Sequence, residues 1–462
     1  MTTNTDSLNL HWKDILSVSL PVTFGVFVQF IVVFIDNYFV AMLSGNAMSG
    51  ASFVGLIYVS LTMLGVGLGN ATQILVARRK GEGRYSEIGS VVSNALWMAG
   101  LLALIQFVLL YYIIPILLPM FIQSDAVRDY MEQFISYRAM GFFFSTIALV
   151  LTSFWTGIAQ TRVMIYTTLI TALVTIILDY LLVFGNFGFP NMGVQGAALA
   201  TSIAEGCALV YLLYFTLSKY SSAIIPNDSS DSNDKKKYQL SKYIFKFPKE
   251  HTLSLFKLGG PISLQLLLSL GIWAIFYGFV ESMGEQPLQA SFIVRNMYML
   301  AYVSVGGFSM VTKTYVSGLI AEKRQSEIMK TMKRIMLMNL TGVLILSHGL
   351  WLYPEWIASQ FTTDPIVIAH TVDIMHVVLP AMIIFSITSI MLAMVEGSGN
   401  TIAGFMIEMI TVIVYVIASF IFVYEFHWPI HLVWTTDYIY FVLIGLLSLL
   451  YLRDGNWKFK KI

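Results

Sequence analysis

The amino-acid sequence predicts an all-α polytopic membrane protein: twelve transmembrane helices in two six-helix lobes, related by a pseudo-two-fold axis along the membrane normal. Three observations carry this. The 462 residues are 57% hydrophobic and only 11% charged, where a soluble domain is roughly 25% charged. The apolar runs are about 20–30 residues long, the length a membrane helix needs, whereas barrel strands run to about ten and alternate. The third observation is an internal repeat, in which residues of the first half recur 240 positions later, as Pro21 does at Pro261.

Apolar runs place spans near 14–43, 51–77, 88–119, 132–156, 163–186, 194–217, 255–282, 288–319, 334–353, 370–395, 401–424 and 432–452. The one long polar stretch, 218–254, contains "NDSSDSNDKKKYQLSK" and reads as a solvated cytoplasmic linker between an N-terminal lobe, 1–217, and a C-terminal lobe, 255–462. The opening "MTTNTDSLNLHWKD" lacks the basic region and cleavage site of a signal peptide, so the first span is expected to act as its own insertion signal. Lysine and arginine set the orientation. With the N-terminus inside, Arg78, Arg79, Lys80, Arg84, Arg162, the linker lysines, Lys323, Arg324, Lys330, Lys333, Arg334 and the tail "KFKK" all lie inside, and Arg128 is the main outer cation. "RRKGEGR" is read as a topology anchor and turn. Both termini are thus expected in the cytoplasm of a bacterial cell, with the chain in its inner membrane.

Two further segments keep the 240-residue register. "GEGRYSEI" (81–88) matches "AEKRQSEI" (321–328), and "GIAQTR" (157–162) matches "GSGNTI" (397–402). Six helices per half is an even number, so both halves point the same way and form a parallel repeat. Transporters rock two such halves about a central cavity; a channel or a membrane enzyme on an old duplication is the competing reading.

Net charge is +1, which gives no reason to expect a nucleic-acid partner. Cys207 is the single cysteine and excludes an internal disulfide or a cysteine metal cluster. The seven histidines are scattered, and "DAVRD" (125–129) has two carboxylates but no partner motif. A membrane-embedded transferase is therefore the remote alternative.

Carboxylates inside apolar spans are functional candidates by default. At 1.5 Å per residue, Asp36 in the first span lies roughly 10–12 Å below the outer surface. Asp179 in the fifth span and Thr201 in the sixth lie at roughly 10 Å. Thr175 is one turn from Asp179, and Glu205 is one turn from Thr201. Two carboxylates and hydroxyls thus share one layer. Desolvation and like charge keep such a pair from ionising together, so it can hold a proton near neutral pH. With the hydroxyls it also offers oxygens to Na⁺ at Asp36, Asp179 and Thr201. The second half lacks this pair, because the positions matching Asp36 and Asp179 are Phe276 and Ser419. It has instead Lys313 and Glu408, both roughly 10 Å from the inner face, which read as a C-lobe ion pair serving as a structural lock or as a substrate or gating element. Twenty-four methionines and 14% aromatic residues suit adaptable binding of apolar compounds. Gln29, Tyr38, Met63, Asn70, Met297 and Tyr298 are the candidate substrate-cavity residues.

At these residues the sequence resembles the multidrug and toxic compound extrusion (MATE) family of the MOP flippase superfamily. The likeness rests on Pro21 followed by Asp36, "GLGNATQILVARRKGEGR" (67–84), "GIAQTR" (157–162) and "LDYLLVFGNFGFPNMGVQGAALAT" (178–201), and extends over essentially the whole chain. The resemblance implies two six-helix lobes exporting amphipathic, often cationic compounds against inward H⁺ or Na⁺. Asp36 matches the family's carboxylate in the first helix. Asp179 and Thr201 match the fifth-helix carboxylate and sixth-helix hydroxyl of the DinF-like branch. That branch often carries Asn where this chain has Thr175. Other branches place Glu in the seventh helix where this chain has Ser269. A second-lobe coupling site of that kind is thus not expected, and H⁺ is favoured over Na⁺.

The expectation is therefore an antiporter, not an enzyme, working as a monomer in contact with membrane lipid and with no organic cofactor or resident metal. Its partner is a small amphipathic substrate. The alternative is a flippase for a lipid-linked saccharide, for which only Lys313 and Arg295 offer basic residues along a groove.

Overall fold

The computed structural model describes residues 7–222, 238, 240, 249–460 and 462 of the chain. Among these the secondary structure is helical throughout, with no strand. α1 (Trp12–Ala41) turns into α2 (Gly45–Gly81) at Ser44, whose hydroxyl caps α2 by accepting the Ala47 N–H at 3.0 Å. α3 (Tyr85–Val108) passes through a π-turn at Leu109–Ile113 into α4 (Ile114–Phe121). Pro115, at the start of α4, has no N–H to continue the helical ladder. α5 (Asp125–Arg138), α6 (Gly141–Gly157), α7 (Arg162–Leu182) and α8 (Val194–Ser222) complete the first half.

The second half opens with α9 (Thr252–Glu281) and α10 (Glu285–Ala321). α11 (Gln325–Ser347) leads through short α12 (Gly349–Leu352) and α13 (Pro354–Ser359) to α14 (Pro365–Gly397). Asp364 caps α14 by accepting the Ile366 N–H at 2.9 Å, with Pro365 in the first turn. α15 (Thr401–Phe420), short α16 (Ile430–Val433) and α17 (Thr436–Arg453) end the chain.

Nine helices among the described residues are long and apolar enough to cross a membrane, and the pair α5–α6 makes a tenth. α10 and α11 complete the twelve predicted spans. Both are long enough, but α10 carries Glu285, Arg295 and Lys313, and α11 carries Lys330, Lys333 and Arg334.

Two expectations change. The fourth span, read from sequence as one run over 132–156, is broken after Arg138 and bent by 52°. Gly141 sits at the break because a Cβ there would lie 2.6 Å from Glu205 Oε2. The linker 218–254 lies mostly outside the described residues, but Tyr238 and Leu240 are buried rather than solvated. The Tyr238 ring meets Tyr85 and Phe154 edge-on, at 6.1 and 6.0 Å.

The chain forms two compact units, one of Met1–Thr23 with Leu264–Ile462 and one of Phe24–Ser263. Each unit therefore holds one half of the chain without the beginning of its first helix, and carries the beginning of the other half's first helix instead. The 240-residue register persists in three dimensions. In one unit Glu82, Arg84 and Glu87 form ion pairs at the turn after α2. In the other, Glu322, Arg324 and Glu327 do the same after α10, at 2.8 and 2.7 Å. Gly157 lies against Gln73, where a Cβ would be 2.9 Å from the Gln73 carbonyl oxygen. Its counterpart Gly397 lies against Lys313, where a Cβ would be 2.8 Å from the Lys313 Cα.

Candidate functional site

In the unit Phe24–Ser263, three close approaches bring α1, α7 and α8 together. Val28 and Val32 of α1 pack on Ala172 of α7, and Gly25 leaves room for the Thr168 hydroxyl. Phe39 meets Phe184 edge-on at 5.8 Å, beyond the end of α7. A Cβ on Gly196, at the start of α8, would lie 2.7 Å from the Leu182 carbonyl carbon, so only glycine lets α8 leave α7 at that distance.

This packing places Asp36 and Asp179 within range of each other's charge. Asp179 and Thr175 are fully buried, one turn apart on α7. Both carboxylate oxygens of Asp179, Oδ1 of Asp36 and the Thr175 hydroxyl are buried with no hydrogen-bond partner among the described residues. Unpartnered carboxylate oxygens in such a place are costly unless a proton or cation joins them. Thr201 is half-buried and donates to its own helix at the Ala197 carbonyl, 3.0 Å.

Glu205 does not join that pair as a free carboxylate. Both its oxygens accept from Arg138, at 3.0 and 2.8 Å, and the Tyr58 hydroxyl donates at 3.2 Å. The Arg138 guanidinium lies over the Tyr58 ring at 3.6 Å, and Tyr58 stacks on Phe142 at 4.2 Å. Sequence reasoning missed Arg138 because it stands near one end of its span, where a cation reads as a loop residue. Its carboxylate partner is 67 positions away, so no local spacing announces it. Arg138 is also a cation within range of Asp36.

In the unit containing Leu264–Ile462, the expected Lys313–Glu408 ion pair is replaced by another. Lys313 Nζ lies 2.6 Å from Glu396 Oε2, and Glu396 also accepts from the Gln265 amide at 2.9 Å. Glu408 is held instead by the hydroxyls of Ser269 and Tyr440. The physical reason lies in two glycines. Gly397 lets α14 come against the Lys313 backbone, and bare Gly404 leaves room for the Glu396 side chain, whose Cγ would be 3.0 Å from a Cβ there. The repeat carried a usable signal, because Gly157 and Gly397 were already matched and Glu396 immediately precedes the latter. Ser269, where other branches of the resembled family place Glu, is thus not without a carboxylate: Glu408 reaches it from α15.

The proposed cavity residues do not behave alike. Gln29 and Tyr38 are exposed, and Met63 and Met297 are half-buried. Asn70 is buried, with its amide donating to the Val66 carbonyl at 3.0 Å. Tyr298 is buried in an aromatic cluster, edge-on to Trp273 at 5.6 Å and stacked with Phe385 at 6.3 Å. That cluster borders a further carboxylate which the sequence reading did not single out. Asp437, in the first turn of α17, accepts from the Tyr415 hydroxyl at 3.3 Å. Among the described residues no three His, Cys, Asp or Glu side chains are grouped to hold a metal ion.

The MatE family model matches residues 21–181 and again 261–421, at the 240-residue offset of the repeat. The chain belongs to the MatE family. Among its relatives, the probable multidrug resistance protein NorM of Thermotoga maritima is 22% identical over 96% of this chain and 93% of its own. The NorM protein of Bacillus cereus is 24% identical over 74% of each chain. Solved structures share the fold. An outward-facing multidrug resistance MATE family transporter of the MOP superfamily superposes with a TM-score of 0.85 at 17% identity, covering 98% of this chain and 97% of its own. The bent form of the Vibrio cholerae MATE transporter VcmN gives 0.83 at 17% identity, covering 97% and 98%. As a MatE protein the chain is a multi-pass membrane transporter with the two-lobed, twelve-helix fold. MatE proteins are transporters rather than enzymes.

Proposed function

We propose that this MatE protein is a proton-coupled antiporter that exports amphipathic, often cationic organic compounds by alternating access, with Asp36 and Asp179 as the coupling pair. The observation that carries this reading is the set of buried oxygens without donors on α1 and α7. The other intramembrane carboxylate of that half, Glu205, has a fixed partner in Arg138. Two carboxylates within range of each other's charge, with buried oxygens, are relieved by one shared proton. Outside the cell the pair takes up the proton, the organic cation loses its counter-charge and leaves, and the proton is later released to the cytoplasm. Multidrug resistance in the names of the NorM relatives supports the substrate class. Lysine and arginine distribution supports cytoplasmic termini in a bacterial inner membrane.

A second reading has its own support. The Thr175 hydroxyl adds a neutral oxygen to the carboxylate oxygens, and hard oxygen ligands suit Na⁺ as well as H⁺. Purified protein in liposomes separates the two. Efflux of a fluorescent organic cation is followed under an imposed pH gradient, then under an imposed Na⁺ gradient, for wild type and Asp36→Asn. The proton reading expects efflux driven by the pH gradient and lost in the variant. Efflux driven by Na⁺ alone moves the site to the second reading, and normal coupled efflux by Asp36→Asn sinks both.

A further inference from the structure

The first helix of each half begins in the unit formed by the other half, and each is held there by a glycine crossing. In the unit that contains Met1–Thr23, α1 passes Gly307 of α10 so closely that a Cβ on Gly307 would lie 2.8 Å from the Thr23 Cα. In the other unit, α9 passes Gly67 of α2, where a Cβ would lie 2.8 Å from the Ser263 amide nitrogen and 2.7 Å from the Gly259 carbonyl oxygen. Gly307 stands 240 positions after Gly67, and Ser263 stands 240 after Thr23, so the two crossings are one device present twice. Each follows a helix-interior proline by two residues, Pro21 in one case and Pro261 in the other.

The segment that leads into α1 is also gripped through its backbone. The Leu8 N–H donates to Glu322 at 2.9 Å, and Arg324 donates to the Leu8 carbonyl at 2.9 Å. The Tyr315 hydroxyl donates to the Asn9 carbonyl at 3.3 Å, and Arg334 donates to the Leu10 carbonyl. Glu322 and Glu327 hold Arg324 in turn, at 2.8 and 2.7 Å. The start of α9 is tied in a parallel way, with the Thr252 hydroxyl donating to Asn94 at 2.9 Å.

We propose that these crossings are fixed points of the transport cycle. α1 up to Thr23 stays anchored to the second-half helices, and α9 up to Ser263 to the first-half helices. Gly307 and Gly67 are thus positioning residues, and any change in α1 during the cycle is confined to the stretch beyond Thr23, which carries Asp36. The inference rests on the transport reading above. Its physical basis is that, behind the Thr23 and Ser263 hydroxyls that come nearest, each crossing meets backbone that cannot swing aside, and close-packed contacts of this kind do not deform gradually. The freedom in α1 lies just beyond its crossing, where Gly25 adds no side chain.

The test joins the anchor covalently. In a Cys207→Ser background, Asn9→Cys and Lys323→Cys are linked by a short bifunctional thiol reagent in the full-length protein in liposomes. If the anchor is a fixed point, linked protein keeps organic-cation efflux within about twofold of the unlinked control. A loss of about tenfold or more on linking makes the contact a gate and overturns the proposal. Linking yield gives a readout independent of transport. It is expected to be the same at acidic and alkaline pH, and with or without the fluorescent cation; a fall under any of these conditions also overturns the proposal. Gly307→Val should lower efflux by about tenfold or more while the fluorescent cation still binds within about twofold, and unchanged efflux counts against the crossing. If wild-type protein moves no organic cation under any gradient, the transport reading fails, and the linking yields still decide whether the anchor holds.

Discussion

Arg138 grips Glu205 through both terminal guanidinium nitrogens, and this pair takes out of play a carboxylate that sequence position alone assigns to ion coupling. Both partners are largely buried, so removing one leaves an uncompensated charge, a loss of about 3–5 kcal/mol. Glu205→Gln and Arg138→Met are each expected to lower thermal stability strongly. The double variant should recover a large part of that loss, because it removes both charges together. A thermal-unfolding cycle on detergent-solubilised protein measures this. Additive losses would show that the two side chains act independently.

Asp179 stands in the opposite situation, fully buried with neither carboxylate oxygen partnered by the described residues. An unpartnered buried carboxylate is a burden to the fold, so Asp179→Asn is expected to keep or raise thermal stability. Coupled efflux should nevertheless fall by about tenfold or more. Stability and efflux measured on one preparation check the two directions together. A variant both unstable and inactive would make Asp179 a structural residue.

What was legible in the sequence follows from the range of each interaction. Membrane helices announce themselves by apolar length, and the repeat by residues in fixed register, so the fold was readable, as were Asp36 and Asp179 as carboxylates within apolar helices. Thr175 was readable because it is one turn from Asp179 on a single helix. The partners of Glu205 and Lys313 were not. Arg138 and Glu205 are 67 positions apart, and Lys313 and Glu396 stand on different helices, α10 and α14, separations at which helix periodicity says nothing. The break after Arg138 was hidden because no proline marks it. Its cause is the crowd of Arg138, Glu205 and Tyr58 against Gly141, which exists only after folding.

The second-half carboxylates make a sharp contrast. Glu396 neutralises Lys313, whereas Glu408 is held by two neutral hydroxyls. Glu396→Gln should therefore destabilise the protein by several kcal/mol, on the order of a broken buried ion pair. Glu408→Gln keeps a group that bonds to Ser269 and Tyr440 and should cost about 1 kcal/mol, the scale of one neutral hydrogen bond. Thermal unfolding of the two variants side by side checks the assignment. Equal losses would put both carboxylates in service to Lys313.

His251, just before α9, supplies the pH dependence. Burial first, and the neighbouring Arg79 guanidinium next, hold its imidazole below the usual value of 6.5; Glu87 and Glu250 pull the other way, and Arg84 adds a last push downward. A base whose folded value is lowered is held neutral by the fold. Its contribution to stability is present above pH 6.5 and is lost as pH falls through the lowered value. Acidification from neutral pH is therefore expected to lower the unfolding temperature of wild type more than that of His251→Gln, which cannot gain the proton. The two curves should run parallel on the alkaline side. An identical acid response in both would assign the pH dependence to groups other than His251.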